Sequence, residues 1–153
     1  MPEDQFVKVL FRYFSDVRGE VTVETMWAIP VDASAGLYKL DSIPFYGPPV
    51  ATDDIFFAEW DEDEQMLIFR EVREESGNSI VQVLILSETY DAAALRAEFS
   101  EMGCVSEGMN DKYFSMEVPS ALDYADIRRR LEELAEAEHI GFAEPVLSER
   151  HAL

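Results

Sequence analysis

Residues 61–64 of this 153-residue chain read Asp-Glu-Asp-Glu, and carboxylates clustered this closely are the side chains that ligate Ca²⁺ or Mg²⁺. A helix-loop-helix calcium loop needs glycine at its sixth position and glutamate at its twelfth. Counted from Asp61, those positions hold Met66 and Val72, so the run predicts a solvated hairpin tip and no metal site. The same acids can act as an anionic surface, with Trp60 beside them as the aromatic anchor that interfaces favour. The predicted partner-binding patch is Asp53, Asp54, Trp60, Asp61, Glu62, Asp63 and Glu64. A competing reading puts Trp60 in the core, the commoner place for a large aromatic.

Other reactive side chains are few. His139 falls in the last turn of a predicted helix, where a cation complements the dipole. His151 falls in a C-terminal tail predicted to fray. Cys104 follows a helix C-terminus, where the dipole raises a thiol pKa and disfavours a nucleophile. A Gly-rich phosphate loop, a nucleophile elbow and the HExxH pattern are all missing from the sequence. The expectation is a non-enzyme with no catalytic residue and no cofactor. Two carboxylates alone can hydrolyse glycosides, but sequence spacing does not establish their separation.

The chain carries 32 acidic and 12 basic side chains, a net charge of −20. The excess is spread along it, −11 over residues 1–78 and −9 over residues 79–153. Such a surface repels nucleic acid and anionic lipid and attracts basic proteins. The alternative is that the acidity serves only solubility. The Arg128–Arg130 run is short and matched by neighbouring glutamates, so it predicts no nucleic-acid stripe. With 48% hydrophobic and 12% aromatic residues, the chain has material for a packed core and is not disordered by composition. No apolar run approaches the ~20 residues that cross a bilayer. The start, MPEDQFVK, has acids where a signal peptide has bases. One cysteine excludes an internal disulfide, and a cytoplasmic location is expected.

The elements that must position these groups are read from periodicity. FVKVLFRYF, 6–14, alternates with Val7, Val9, Phe11 and Tyr13 on one face and Lys8 and Arg12 on the other, which predicts a half-buried strand. SDVRGE, 15–20, is a turn. VTVETMWAIPV, 21–31, predicts a strand with Val21, Val23, Trp27 and Ile29 on its buried face, ending or lying at an edge where Pro30 cannot donate. A short strand follows at GLYKL, 36–40. IFFAEW, 55–60, and MLIFREV, 66–72, predict a hairpin around the acidic tip. SIVQVLIL, 79–86, is apolar enough for a central strand buried on both faces. DAAALRAEFSEMG, 91–103, spaces Ala92, Leu95, Phe99 and Met102 as a helix, with Asp91 as N-cap and Gly103 past the end. A strand pair turns at Asn110-Asp111. A second helix is predicted over 121–139, capped by Ser120 or Asp123, with the stripe Tyr124, Ile127, Leu131 and Leu134, and ended by Gly141. FAEPVL, 142–147, is the last strand.

The predicted fold class is α+β. An N-terminal curled antiparallel sheet or small barrel, 1–78, joins a C-terminal ferredoxin-like βαββαβ unit, 79–153, and the two are expected to share one core. The stretch GLYKLDSIPFYG, 36–47, is too broken for a strand and too aromatic for an ordinary loop. It predicts a lid: Gly36 and Gly47 supply unusual backbone angles, and Leu37, Leu40, Ile43 and Phe45 plug one barrel end. Tyr38 and Tyr46 are its candidate ligand contacts.

Taken in order, VKVLFRY, VETMWAIPV, GLYKLDSIPFYG and EESGNS resemble a bacterial family, the domain-of-unknown-function family numbered 4265. The likeness covers about residues 6–86, and Asp41-Ser42 departs from the Asp-Asn usual there. The resemblance implies a soluble bacterial protein and carries over no activity and no catalytic residue.

Two functions compete. The first is an acidic module that captures a basic protein, in its specific form an immunity protein neutralising a nuclease-type toxin. The second is a small-molecule-sensing or regulatory domain acting as a dimer. They differ in whether binding follows salt or a metabolite.

Overall fold

A computed structural model of the chain describes residues 6–15, 19–46 and 48–152. Residues 1–5, Asp16, Val17 and Arg18 of the predicted turn, and Gly47 of the predicted lid lie outside the described residues. The chain folds as two compact units, Met1–Ser76 and Gly77–Leu153.

In the first unit five strands follow one another round a closed barrel: β1 (Val7–Ser15), β2 (Glu20–Asp32), β3 (Leu37–Leu40), β4 (Ile55–Asp61) and β5 (Met66–Glu74). Each neighbour runs antiparallel to the last. Because five is odd, the closing pair must run parallel, and β1 meets β5 that way at Val9 opposite Leu67 and Leu10 opposite Ile68. Closure removes the exposed edges that an open sheet would present. Val9, Phe11, Met26, Ala28, Tyr38, Leu40, Val50, Phe56 and Ala58 fill the interior. Phe11 stacks on Phe69 at 4.9 Å and meets Phe56 edge-on at 5.4 Å.

The predicted face of β2 is inverted. Val9 lies opposite Met26 and Val7 opposite Ala28, and residues directly opposite in a ladder point to the same side. With Val7, Val9 and Phe11 turned inward, Met26 and Ala28 must be inward too. Val21, Val23 and Trp27 therefore face out, Val21 at 62% exposure. A five-stranded barrel already holding Phe11, Phe56 and Phe69 has little interior left for them. Pro30 does not end the strand; β2 runs on to Asp32 through an irregularity between Pro30 and Asp32, a usual place for a strand proline.

The second unit is an antiparallel sheet in the order β7-β8-β6-β9. Its elements are β6 (Ser79–Ile85), α1 (Ala92–Glu101), β7 (Val105–Asn110), β8 (Tyr113–Val118), α2 (Tyr124–Glu136) and β9 (Ile140–Val146). Val81, Val83 and Ile85 of β6 share one core with Leu95 and Phe99 of α1 and Tyr124, Ile127, Leu131 and Leu134 of α2. Both predicted helical stripes are thus the buried ones. β6 is central, but burial on both faces holds only for its first half: Ile80 is buried while Leu84 is 47% exposed.

Asp91 caps α1 by accepting the Ala94 N–H at 2.8 Å, and Asp123 caps α2 by accepting the Ala125 N–H at 3.0 Å. The two helices end alike. Past α1, Gly103 takes φ +106° and the Cys104 N–H reaches the Phe99 carbonyl at 3.0 Å. Past α2, Glu138 takes φ +64° and the His139 N–H reaches the Leu134 carbonyl at 2.9 Å. Both are Schellman closures, the second without glycine. α2 accordingly stops before the predicted Gly141, which pairs with Leu84 inside β9. Among the described residues no helix is long and apolar enough to cross a membrane.

Gly36 follows the 3-10 turn Ala33–Ala35 at φ +75°, and a β-carbon there would lie 2.7 Å from the Phe57 ring and 3.0 Å from the Ala58 carbonyl oxygen. Gly36→Ala is expected to cost about 1–3 kcal/mol, read as a lower urea midpoint. An unchanged midpoint would mean the turn relaxes freely.

Candidate functional site at the barrel mouth

The two ends of the barrel differ. The segment between β3 and β4 crosses one end. Leu40 and Val50 enter the core, and Ile43, Pro44 and Pro48 are buried with them. The inward-facing carboxylate of Glu24 holds this segment, accepting the backbone N–H groups of Phe45 at 2.8 Å and Tyr46 at 3.2 Å. Trp27 grips it as well: its carbonyl accepts the Asp41 N–H at 2.9 Å, and its N–H donates to the Ser42 hydroxyl at 3.1 Å. Asp54 is buried and accepts the N–H groups of Ala51 at 2.9 Å and Ser76 at 2.8 Å. Burial pushes the Glu24 carboxyl up, and the two N–H bonds oppose that shift. The stretch that includes Ile43, Pro44, Phe45 and Tyr46 is therefore a lid, fastened by the Glu-Thr-Met-Trp segment of β2.

β1 and β5 begin, and β4 ends, at the opposite end. There a cleft of about 730 Å³ is lined by Val7 and Lys8 of β1, Thr25 of β2, Tyr38 of β3, Trp60 of β4, Gln65 of the β4–β5 turn, and Met66 and Leu67 of β5. Trp60 is 55% exposed, so the core reading does not hold for it. Beside it the β4–β5 turn is fixed by its own groups. Asp61 accepts the N–H groups of Asp63 at 2.8 Å and Glu64 at 3.1 Å, and Gln65 takes φ +56° with its side chain donating to the Glu62 carbonyl at 2.7 Å. Glu64 pairs with Arg12 at 3.0 Å. Glu62 and Asp63 project outward, exposed.

Tyr38 reaches the cleft from the core. It is only 6% exposed, packs against Phe56 at 6.1 Å between ring centres, and lines the cleft. Burial raises its pKa.

The sequence-predicted patch is thereby divided. Trp60, Asp61, Glu62, Asp63 and Glu64 lie together at the mouth, with Tyr38 beneath them. Asp53 and Asp54 precede β4 at the lid end. The seven residues of β4 set them apart by about 20 Å at ~3.3 Å per residue. Asp53 is exposed with φ +68°, Asp54 is a buried cap, and Tyr46 is exposed on the lid. The signal missed in the sequence was Glu24, an acid at an inward position of a strand.

The other reactive groups serve the fold. His151 does not fray: it is 1% exposed, its Nε2 donates to the Pro119 carbonyl at 3.0 Å, and its Nδ1 accepts from the Ser79 hydroxyl at 2.6 Å. Ser79 is fully buried and itself accepts the Ser148 N–H at 2.9 Å, so this Ser-His contact pins the tail and offers no nucleophile. His139 lies beyond α2, its Nδ1 2.9 Å from the Ser87 hydroxyl and its ring edge-on to Tyr90. Cys104 is buried, and desolvation, aided by Glu117, pushes its thiol up to about 12. Among the described residues no group of three or more His, Cys, Asp or Glu side chains is placed to hold a metal.

A family model described as "Domain of unknown function (DUF4265)" matches residues 24–142. No curated protein matches the chain. A solved structure of a hypothetical protein from Neisseria gonorrhoeae is similar at 22% identity, with a TM-score of 0.81 over 94% of this chain and 96% of that one. At that identity the likeness concerns the fold.

Glu24→Gln is expected to cost about 1–3 kcal/mol at neutral pH, because the amide N–H₂ then faces a backbone N–H. A raised folded-state pKa means that the contribution of Glu24 to stability is full below its ordinary value of 4.5 and is lost as pH rises through the folded value. The variant should lack that falling component in urea midpoints taken from pH 4 to 7. An identical pH slope in both proteins would remove Glu24 from the account. A thiol reagent at pH 8 should leave native Cys104 unmodified and label it once the chain is unfolded in urea; rapid labelling of the native protein would contradict its burial.

Proposed function

We propose that this chain, which belongs to the domain-of-unknown-function family DUF4265, is a non-enzymatic acidic protein-binding module that meets its partner at the barrel mouth. The observation that carries this reading is Trp60, more than half exposed beside the Asp61–Glu64 turn. A large aromatic on a pre-formed rim can bury much area at little conformational cost, as interface anchors do. The surrounding acids and the net charge of −20 favour a basic partner and speed its capture. A nuclease-type toxin has such a surface, and its neutralisation is the specific form of the proposal. The contact set is Trp60, Asp61, Glu62, Asp63 and Glu64, without Asp53 and Asp54. For the second unit, helices after its first and third strands and the order β7-β8-β6-β9 support a ferredoxin-like reading. A second functional reading, regulation by a small molecule, is supported by the cleft that Tyr38 and Trp60 line.

The test is capture on the immobilised chain from lysate of its native cells, run in parallel with Trp60→Ala and with the double variant Glu62→Lys/Asp63→Lys. These substitutions spare Asp61, whose carboxylate holds the turn. The wild type should retain one basic protein in stoichiometric amount, released by rising salt, and both variants should lose it. Equal retention by the variants would exclude the mouth as the contact surface.

A further inference from the structure

The outer wall formed by β1, β2 and β3 departs in character from the rest of the chain. Residues paired across a ladder share a face. On the outer side Phe14 therefore lies beside Val21, Arg12 beside Val23, Lys8 beside Trp27, and Lys39 beside Ile29. The outward row of β2 is Val21, Val23, Thr25, Trp27 and Ile29, with no charged residue in it. Phe14, Val21, Val23 and Trp27 are exposed. The charged positions flanking the row are cations, Lys8 and Arg12 on β1 and Lys39 on β3. Leu10, between the first two, is already buried. Arg12 is matched by Glu64 at 3.0 Å, and Asp41 stands at the margin in a recess with Phe6 and Trp27. Lys8, its ammonium 5.4 Å from the Trp27 ring, and Lys39 have no carboxylate partner among the described residues. The other hairpin of the barrel is finished differently: Arg70 pairs with Glu59 at 2.9 Å, and Arg73 pairs with Glu71. In a chain with 32 acidic residues, unpaired lysines bordering exposed apolar side chains suit a partner that brings its own carboxylates.

We propose that this wall docks an acidic amphipathic helix of another protein, its apolar stripe on Val21, Val23 and Trp27 and its flanking carboxylates on Lys8 and Lys39. Exposed apolar patches rimmed by polar groups mark interaction surfaces. β2 already has a ladder on each side, so it offers a face and no edge for strand addition. A helix presents an apolar stripe bordered on both sides by polar positions, the complement of a row with cations on both flanks. From Val21 to Ile29 the row runs about 26 Å at ~3.3 Å per residue, the length of a helix of ~18 residues. The lysines act locally, because at physiological salt the Debye length of ~8 Å screens the acids elsewhere on the chain. A second copy is the wrong occupant: isologous pairing sets a wall bearing Lys8, Arg12 and Lys39 against another bearing the same cations. The proposal does not depend on the contact at the barrel mouth.

Isothermal titration calorimetry on the full chain at physiological salt tests it. The probes are three synthetic helices of ~18 residues that share one leucine stripe and carry Glu, Gln or Lys along its flanks. The Glu-flanked helix should bind best. Val23→Thr/Trp27→Thr, which keeps β-branched side chains in the strand, should weaken it about tenfold or more, as loss of an aromatic anchor does. Lys8→Gln/Lys39→Gln should weaken it about three- to tenfold, as loss of exposed ion pairs does, and should leave the Gln-flanked helix unaffected. Both double variants exchange outward side chains, so their urea midpoints should stay near that of wild type. Trp60→Ala should bind the Glu-flanked helix as wild type does. No binding at about 0.1 mM, equal binding of the Glu- and Gln-flanked helices, or loss of binding in Trp60→Ala would overturn the proposal. So would tighter binding of the Lys-flanked helix that Val23→Thr/Trp27→Thr abolishes. A dimer in equilibrium sedimentation that the same variant dissolves would put a second copy on the wall. Flotation with phosphatidylcholine vesicles that it abolishes would put a lipid surface there. Either result would make the helix assignment wrong.

Discussion

An odd number of strands cannot close antiparallel throughout, and the first unit is organised around that constraint. Its seam is the parallel contact of Val9 with Leu67 and Leu10 with Ile68. Once those pairs are made, the inward parity of β1 is set, and through the β1–β2 register so is that of β2. Met26 and Ala28 go in, Trp27 goes out, and Glu24 is carried to the inner side of the wall. A carboxylate placed there must find donors or lose its charge. It finds them in the backbone of the segment that covers the barrel, so the lid follows from the same register that closes the sheet.

Among the described residues the opposite end shows no comparable fastening. Its turn is held by local bonds from Asp61 and Gln65 and by one ion pair to β1. The asymmetry leaves Trp60 and the inner residue Tyr38 facing a common space. A rigid wall under a wet rim is the arrangement in which loops carry recognition while the scaffold fixes their position.

Much of this was legible in the residues. The alternation in 6–14, the hairpin around 61–65, the Asp91 cap and the Tyr124-Ile127-Leu131-Leu134 stripe all appear where the pattern puts them, because each is a local preference that tertiary packing reinforced. Three features were not legible. The inverted face of β2 depends on its partner, since Val21, Val23 and Trp27 are as apolar as the residues that went inside. The pinning of His151 depends on Ser79 and Pro119, which are 72 and 32 positions away. The division of the acidic patch depends on β4 running from one end of the barrel to the other, so that residues near in sequence, Asp54 and Trp60, belong to different ends. Of the candidate site, Trp60, the four turn acids and Tyr38 came from the sequence. Lys8 entered only when the cleft brought it beside them.

The outward stripe of β2 gives the acidity of the chain a colloidal meaning. Val21, Val23, Trp27 and Val31 stand on one exposed side of a single strand, a surface on which copies of a neutral protein would stick. A net charge of −20 opposes that approach at distances up to about 10 Å in ordinary salt, before the valines can touch. Electrostatic repulsion between copies thus does for this barrel what burial does for its interior: it keeps apolar side chains from finding one another in the wrong molecule.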